Sequence, residues 1–235
     1  MVKALGLILL LFHFAVASQP RTIDVVAIEY PPFTSLSLPD KGIAFSLLQA
    51  KLADNKLVKL SEHFLPPARA QVFLNANSAW CLSFYPPEKQ LNAEYIPLSE
   101  FDIKLGFVGK KSNTLLKWQS FDEFKGRRIA MLRANSAEGI YGTLKQHGVN
   151  IIDVETVQQG INLLVKGRVE LAFSDSVTFA KLQKQQGKGS MLGFANKSLM
   201  ALPIGVYLNR QCQYGNLVKS SLKNAKLGVT EEKIL

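Results

Sequence analysis

The chain has 235 residues, of which 47% are hydrophobic and 20% are charged. This length suits one large or two small lobes, and the apolar residues suffice to fill real cores. The net charge is +10, but the basic residues lie in scattered pairs such as Lys110-Lys111 and Arg127-Arg128 and are not interleaved with aromatic residues. We therefore expect a solvated basic surface and no nucleic-acid partner, because nucleic-acid binding needs a contiguous basic face.

The chain begins with the three regions of a secretion signal. Met1-Val2-Lys3 is short and basic, residues 4–16 are apolar, and Ala15-Val16-Ala17 has the small-x-small form of a signal peptidase site. The apolar run is shorter than the roughly 20 residues of a membrane span, and polar residues follow it directly. We predict a signal peptide over residues 1–17 and an exported chain that starts at or near Ser18. An uncleaved anchor is the alternative, and the absence of a cysteine at the cleavage site argues against a lipid anchor.

The first strand of the exported chain is predicted at Ile23–Ile28, followed by Glu29-Tyr30-Pro31-Pro32-Phe33-Thr34. The two prolines predict a stiff, extended loop that presents Tyr30 and Phe33 as a fixed aromatic pair. The alternative is that both rings cover the core of their own loop. A helix with one apolar face is predicted next, over residues 42–55.

Two further strands and a second helix are predicted before the middle of the chain. Residues 58–65 and 79–84 have the apolar character of strands, and Pro66-Pro67 places proline in the first turn of the helix between them. Residues 103–107 alternate between apolar and polar or small side chains, which is typical of another strand.

Residues 120–175 carry the strongest local signals of an α/β lobe. Ser120-Phe121-Asp122-Glu123 and Thr156-Val157-Gln158-Gln159 have the form of capping boxes, which begin helices. A strand is predicted over residues 128–132, and the turn after it begins a helix with Asn135 as the N-cap. The helix that starts at Thr156 is predicted to end at Gly167, and a buried strand follows, with Ser174 and Asp175 just beyond its carboxyl end.

These segments resemble the bacterial extracellular solute-binding proteins of family 3, the polar amino-acid type. FDEFKGRRIAMLRANSAE and VETVQQGINLLVKGRVELAFSD match the second lobe of that family in order and spacing, and the opening strand followed by Tyr-Pro-Pro-Phe matches its first lobe. Asn135-Ser136 stands where the family has a glycine turn, and Glu170-Leu171 stands for Asp-Ala. The resemblance covers essentially the whole exported chain.

The resemblance implies an α/β fold with two lobes, the type II fold of periplasmic binding proteins. Each lobe is a mixed sheet flanked by helices, and two strands form the hinge. We expect the first lobe over residues 18–105, the second over 106–200, and a return to the first lobe over 201–235. The crossings are expected at residues 105–110 and 196–202, with a last helix over residues 214–227.

The resemblance also implies a set of ligand-binding residues in the first lobe. Tyr30 and Phe33 line the cleft between the lobes, and Ser83 lies at the end of the third strand. Lys89 stands in place of an arginine that clamps the ligand carboxylate, although lysine lacks the planar guanidinium fork. Arg69 matches an arginine of the family that faces either the cleft or the sheet.

The second lobe supplies the remaining predicted ligand contacts. Asn135 and Ser136, with the amides that follow, form a seat for an anion or a carbonyl, although an ordinary βα turn has the same appearance. Asp175 matches the acidic residue that receives the ligand amine. An aspartate after a strand is equally typical of an N-cap for the next helix, so both interpretations of Asp175 stay open.

The resemblance implies a monomeric periplasmic protein that captures a small polar solute, an amino acid or a related amine or zwitterion, for an inner-membrane ABC permease. The histidines and cysteines lack metal-ligand spacing, and the chain has no phosphate-binding loop, dinucleotide fingerprint or nucleophile elbow. We therefore expect no metal, no cofactor and no catalytic residues.

Two alternatives belong to other functional classes. Relatives of this fold include secreted dehydratases, which need a general acid in the cleft, and Glu29 is the candidate for that role. A binding protein of this kind can also present its ligand to a membrane sensor instead of a permease.

Cys81 and Cys212 are the two cysteines of the chain, and the predicted topology places both in the first lobe. Because an exported protein meets an oxidising compartment, we predict that they form a disulfide.

Overall fold

The computed structural model describes residues 21–53, 58–76, 80–88, 92–134, 139–186 and 191–224. The strands are β1 (Arg21–Ala27), β2 (Val58–Phe64), β3 (Leu82–Ser83), β4 (Ala93–Lys110), β5 (Arg128–Leu132), β6 (Asn150–Val154), β7 (Leu171–Asp175), β8 (Leu192–Phe194) and β9 (Met200–Asn209). The helices are α1 (Ile43–Leu52), α2 (Pro67–Ala76), α3 (Gly139–Gln146), α4 (Val157–Val165), α5 (Ser176–Gln186) and α6 (Gly215–Asn224). The predicted signal peptide lies outside the described residues.

One mixed sheet runs through the described structure in the order β2-β1-β3-β9-β4-β7-β5-β6, with β8 paired to β4. Its two ends are parallel: β1 pairs with β2 and β3, and β5 pairs with β6 and β7. Parallel neighbours require crossover connections, and the helices α1 to α4 supply them. In the middle of the sheet, β4 runs antiparallel to both β7 and β9.

Separate hydrophobic cores show that the molecule has two lobes. The core of the first lobe gathers buried residues of β1, α1, β9 and α6, and it includes Ile96 and Leu98 of β4. Ten residues further along the same strand, Phe107 and Val108 belong to the cores of the second lobe. The strand β4 therefore runs from one lobe into the other, and its pairing with β9 slips between Pro97 and Asp102.

The local signals in the second lobe correspond to real caps and strand ends. Ser120 makes both hydrogen bonds of its capping box with Glu123, and the predicted strand at 128–132 is β5. At α4 the amide of Gln159 donates to Oγ1 of Thr156 at 3.2 Å. The Gln159 side chain accepts from the amide of Glu155 at 2.8 Å, one residue earlier than a capping box requires.

Two predictions about the first lobe are wrong in detail. The loop after β1 is a tight turn and is not extended: its Pro31-Pro32 bond is cis, and the backbones of Tyr30 and Thr34 exchange two hydrogen bonds. The third strand was expected at residues 79–84, but β3 covers only Leu82–Ser83. The reason is that Oγ of Ser83 donates to the carbonyl of Tyr85 at 2.6 Å, which turns the chain immediately after the strand.

Cys81 and Cys212 form a disulfide with a Cα–Cα distance of 4.9 Å. It ties the start of β3 to the segment that leads from β9 into α6, and both of these elements pack in the first lobe. Over the ranges that the structure describes, no helix has the length and the apolar character needed to cross a membrane.

Candidate functional site

A cavity of about 610 Å³ lies between the two lobes. The first lobe lines it with residues of the turn after β1, the segment after β3, and the facing parts of β4 and β9. The second lobe contributes the end of β5, the first turn of α3, and Phe173 of β7. A solute in this cavity would therefore contact both lobes, and the volume is in the range of small-molecule sites.

Aromatic side chains dominate the wall of the cavity. The lining includes five of the six tyrosines of the chain and three phenylalanines, namely Tyr30, Tyr85, Tyr95, Tyr141, Tyr207, Phe33, Phe84 and Phe173. The rings of Tyr30 and Phe33 are 5.8 Å apart, and those of Tyr95 and Tyr207 are 5.0 Å apart. Burial raises the pKa of all five lining tyrosines, to about 12 for Tyr85 and Tyr141, so the hydroxyls are neutral at physiological pH.

The five hydroxyls differ in what they bind. Tyr30 donates to Oδ2 of Asp175 at 3.0 Å, Tyr141 donates to Oδ1 of Asp153 at 2.7 Å, and Tyr95 donates to the carbonyl of Pro203. In the structure as described, the hydroxyls of Tyr85 and Tyr207 have no hydrogen-bond partner in the protein. These two hydroxyls are therefore available to a solute.

Among the described lining residues, Glu88 is the one acidic residue, and none is a lysine or an arginine. Arg69 is exposed on α2 and does not line the cavity, whereas Gln71 of the same helix does. Arg133, which follows β5, forms an ion pair with Glu155 at 3.1 Å and is also absent from the wall. The described walls thus offer no basic side chain to an anionic group.

Asp175 is the last residue of β7 and is fully buried. Its Oδ1 accepts from the amides of Val177 and Thr178 at 2.9 and 2.8 Å, and its Oδ2 accepts from Oγ1 of Thr178 at 2.6 Å and from Tyr30. Burial raises the pKa of Asp175, and these hydrogen bonds oppose that rise. The contacts are those of an N-cap for α5, which is one of the two interpretations that the sequence left open.

The other predicted site residues do not all lie on the wall of the cavity. Tyr30 and Phe33 lie on the wall, while Ser83 is buried beneath it and exchanges hydrogen bonds with the backbone of Tyr85. Ser83 therefore positions Tyr85 and does not reach the cavity. Lys89, Asn135 and Ser136 lie outside the described residues.

Tyr85, Tyr95, Tyr141, Tyr207 and Gln71 line the cavity but were not among the residues expected from the sequence. One signal could have found part of this wall: Pro203, Gly205 and Tyr207 alternate along β9, so they share one face of the strand. The others come from separate segments that only the folded sheet brings together.

The described residues do not contain a group of three or more histidine, cysteine, aspartate or glutamate side chains arranged to hold a metal ion. Glu29, the candidate general acid, does not line the cavity, because its carboxylate accepts from the amide of Leu36 at 3.0 Å.

The solved structures to which this chain is similar include proteins described with an amino acid bound. The GluR0 ligand-binding core of Nostoc punctiforme, in complex with L-glutamate, matches with a TM-score of 0.66 at 16% identity, over 86% of this chain and 92% of that chain. The arginine-bound form of truncated ArgBP from T. maritima matches with a TM-score of 0.66 at 16% identity, over 87% of this chain and 96% of that chain. An arginine transport-system periplasmic binding protein from Legionella pneumophila matches with a TM-score of 0.63 at 12% identity, over 86% of this chain and 91% of that chain.

The chain has the fold of the two-lobed periplasmic binding proteins. The predicted α/β, type II fold is therefore confirmed. No family model matches the sequence, and no curated protein matches it. In this binding-protein fold the cavity described above lies between the lobes and is lined by both of them.

Proposed function

We propose that the protein is a periplasmic solute-binding protein that holds a small solute, an amino acid or a related amine, between its two lobes. The observation that carries this proposal is the cavity of about 610 Å³, whose wall comes from both lobes. A solute that contacts both lobes favours their closed arrangement, because it binds that arrangement better than an open one. Solved proteins of this fold are described with glutamate or arginine bound, which supports a solute of similar size.

The proposed location is the periplasm. The signal-peptide pattern of residues 1–17 supports export, and the disulfide between Cys81 and Cys212 suits an oxidising compartment. The proposed partner is an inner-membrane ABC permease, and a membrane sensor is the other partner that a solute-loaded binding protein could serve. A neighbouring pair of permease and ATPase genes would favour the importer.

No observation favours the dehydratase alternative. Glu29 is held by the backbone of its own loop, and Glu88 is the one carboxylate that lines the described wall. Acid–base chemistry on a hydroxy acid would need an acid within hydrogen-bond reach of the reacting group.

A thermal-shift screen of the exported protein tests the proposed function. The panel holds amino acids, amines, organic acids and small peptides, which are small enough for a cavity of about 610 Å³. A true solute at about 100 times its dissociation constant should stabilise the protein by roughly 2.7 kcal/mol, which raises the melting temperature by several degrees.

Tyr207→Ala tests the cavity, and Tyr214→Ala is its matched control. Tyr207 lines the cavity, whereas Tyr214 does not and instead packs beneath the guanidinium of Arg21. Tyr207→Ala should reduce the shift that a solute produces, and Tyr214→Ala should leave that shift unchanged. A complete panel without any stabilising member would contradict the proposed function.

A further inference from the structure

The wall of the cavity carries more information about the solute than its volume does. Tyr30, Phe33 and Phe84 from the first lobe line the same cavity as Tyr141 and Phe173 from the second lobe. Aromatic walls of this kind bind flat apolar surfaces through offset stacking and edge contacts. An aliphatic polar amino acid would make fewer such contacts with these rings than an aromatic solute would.

Tyr207 and Tyr85 lie on neighbouring parts of this wall. Tyr207 of β9 is paired with Ser83 of β3 on one side and with Tyr95 of β4 on the other. The side chain of Ser83 fixes the backbone of Tyr85 through two hydrogen bonds, and Tyr85 and Tyr207 pack against the same hydrophobic cluster. The backbone beneath both rings is thus held by strand pairing and by a local turn, so the two rings are preorganised.

The hydroxyls of Tyr85 and Tyr207 set the polar part of the site. The other three lining tyrosines already donate to Asp175, Asp153 or the carbonyl of Pro203. In the described structure neither the Tyr85 hydroxyl nor the Tyr207 hydroxyl donates to a protein group, although both side chains are only partly exposed. Burial raises the pKa of both phenols, so each remains a neutral group that can donate and accept a hydrogen bond. Both side chains line the cavity, so a solute can supply the hydrogen-bond partner.

On the basis of the proposed function, we infer that the solute is a compact aromatic compound with a hydrogen-bonding ring substituent, such as a phenol, which pairs with Tyr85 and Tyr207. The ring lies among the aromatic side chains, and the ring substituent exchanges hydrogen bonds with the two free hydroxyls. The wall also includes Glu88 and the first turn of α3, which a charged tail of the solute could contact. The carboxylate of Glu88 favours a positively charged tail, whereas the N-terminus of α3 favours a negatively charged one.

Calorimetry on the exported protein with matched compounds tests this inference. Tyramine, L-tyrosine and 4-hydroxyphenylacetate share a phenol ring but differ in the charge of the tail. 2-Phenylethylamine and L-phenylalanine lack the ring hydroxyl of the first two. L-Glutamate and L-arginine represent the ligands of the structural neighbours.

We expect at least one phenol to bind about tenfold or more tightly than its partner without the hydroxyl, and more tightly than glutamate and arginine. The phenol that binds most tightly shows whether the tail of the solute is positively charged, zwitterionic or negatively charged. Tyr85→Phe and Tyr207→Phe each remove one hydroxyl oxygen. Each should therefore bring the ratio of the dissociation constants of the paired compounds close to one. Tyr214→Phe, which changes a tyrosine outside the cavity, should leave the ratio unchanged.

Three results would overturn the inference while the proposed function stands. They are tight binding of glutamate or arginine without binding of any phenol, equal affinity for the paired compounds, and an unchanged ratio in both Phe variants. The affinities of the unaltered protein for the paired compounds test the inference even if a variant fails to fold. If no solute of this panel or of the wider thermal-shift panel binds, the proposed function itself fails.

Discussion

The carboxylate of Asp175 accepts hydrogen bonds on both oxygens, and the donors come from two parts of the molecule. Two amides and a hydroxyl belong to the first turn of α5, while the phenol belongs to Tyr30 in the turn after β1. The pairing of Asp175 with Leu105 of β4 places the residue beside the strands that connect the lobes. One side chain therefore fixes the start of a helix and one aromatic side chain of the cavity wall.

Asp175→Ala is expected to lower the free energy of unfolding by about 2–4 kcal/mol. The loss combines the N-cap of α5 with a buried Tyr30 hydroxyl left without a partner. Asp175→Asn should cost less, because asparagine is also a good N-cap. Urea unfolding of both variants measures the two losses, and an alanine variant within about 0.5 kcal/mol of the original protein would contradict this role.

The sign of the pH effect at Asp175 follows from its raised pKa. Because folding favours the protonated form, this group contributes stability that is fully present below the ordinary carboxyl pKa and is lost as the pH rises through the raised one. The stability of the original protein relative to Asp175→Asn should therefore fall as the pH rises through the raised pKa of Asp175.

Gly42 supports the turn that carries Tyr30 and Phe33. Its φ of 98° is unfavourable for other residues, and an added Cβ would lie 2.6 Å from the carbonyl oxygen of Phe33 and 2.8 Å from that of Pro32. Those two carbonyls accept from the amides that begin α1, at 2.9 and 3.0 Å. A side chain at this position would therefore push the turn away from the helix.

Gly42→Ala is expected to cost about 2–4 kcal/mol of stability through backbone strain and overpacking. Gly167→Ala is the matched control, because Gly167 has a φ of 67° but no atom within 4 Å of an added Cβ. The control should cost only the conformational part, about 1–2 kcal/mol. Equal losses in the two variants, measured by urea unfolding, would show that the contact with the turn does not matter.

Among the elements, α6 is held to β4 by charge as well as by its apolar face. Lys219 donates to Oε2 of Glu94 at 2.5 Å, and Lys223 lies 3.3 Å from Oε1. The hydrogen bond from Lys219, followed by the contribution of Lys223, lowers the pKa of Glu94 below its ordinary value of 4.5. A lowered pKa means that this contribution to stability is present above pH 4.5 and is lost as the pH falls through the folded-state pKa.

Glu94→Gln is expected to cost about 0.5–1 kcal/mol at pH 7, the range of partly exposed ion pairs. The difference from the original protein should shrink when the pH falls below 4.5 or when salt is added. Unfolding curves at several pH values and two salt concentrations check both trends. A difference that stays constant over this range would contradict an electrostatic role for Glu94.

The disulfide acts on the same region by constraining the unfolded chain. Its cysteines are 131 residues apart in sequence, and the loop between them contains the elements from β3 to β9. Replacing both cysteines with alanine should lower the free energy of unfolding by about 2–5 kcal/mol. The unmodified protein, denatured without a reducing agent, should contain no free thiol. Two titratable thiols in that experiment would refute the disulfide.

At the scale of the whole molecule, the sequence predicts the lobes better than it predicts the cavity. The strand at 128–132 and the helix that starts after Thr156 depend on periodicity and caps within a few residues, so they are predictable locally. The aromatic wall depends on the pairing of Tyr207 with Tyr95 of β4 and with Ser83 of β3. Such contacts join distant parts of the chain, and no local pattern contains them.

The division into two cores predicts how the molecule should respond to a solute. The buried apolar residues form one cluster around β1, α1, β9 and α6 and others around β5, β7 and α4, and β4 contributes residues to both sets. Lobes with separate cores and a narrow connection are expected to move relative to each other. The pairing of β4 with β9 shifts register between Pro97 and Asp102. This irregular segment can absorb a change in backbone angles when the lobes move.

We therefore expect a bound solute to reduce the radius of gyration of the protein, because the solute contacts both lobes and favours their closed arrangement. Small-angle X-ray scattering with and without a saturating solute from the thermal-shift screen measures this change, and a compound that gives no thermal shift serves as the control. Each lobe should keep its own hydrogen-exchange pattern away from the cavity, because closure of this kind moves the lobes as bodies and leaves their cores intact. An unchanged radius of gyration with a solute shown by calorimetry to be bound would mean that the lobes are already fixed in the closed arrangement, and the solute would then enter without a hinge motion.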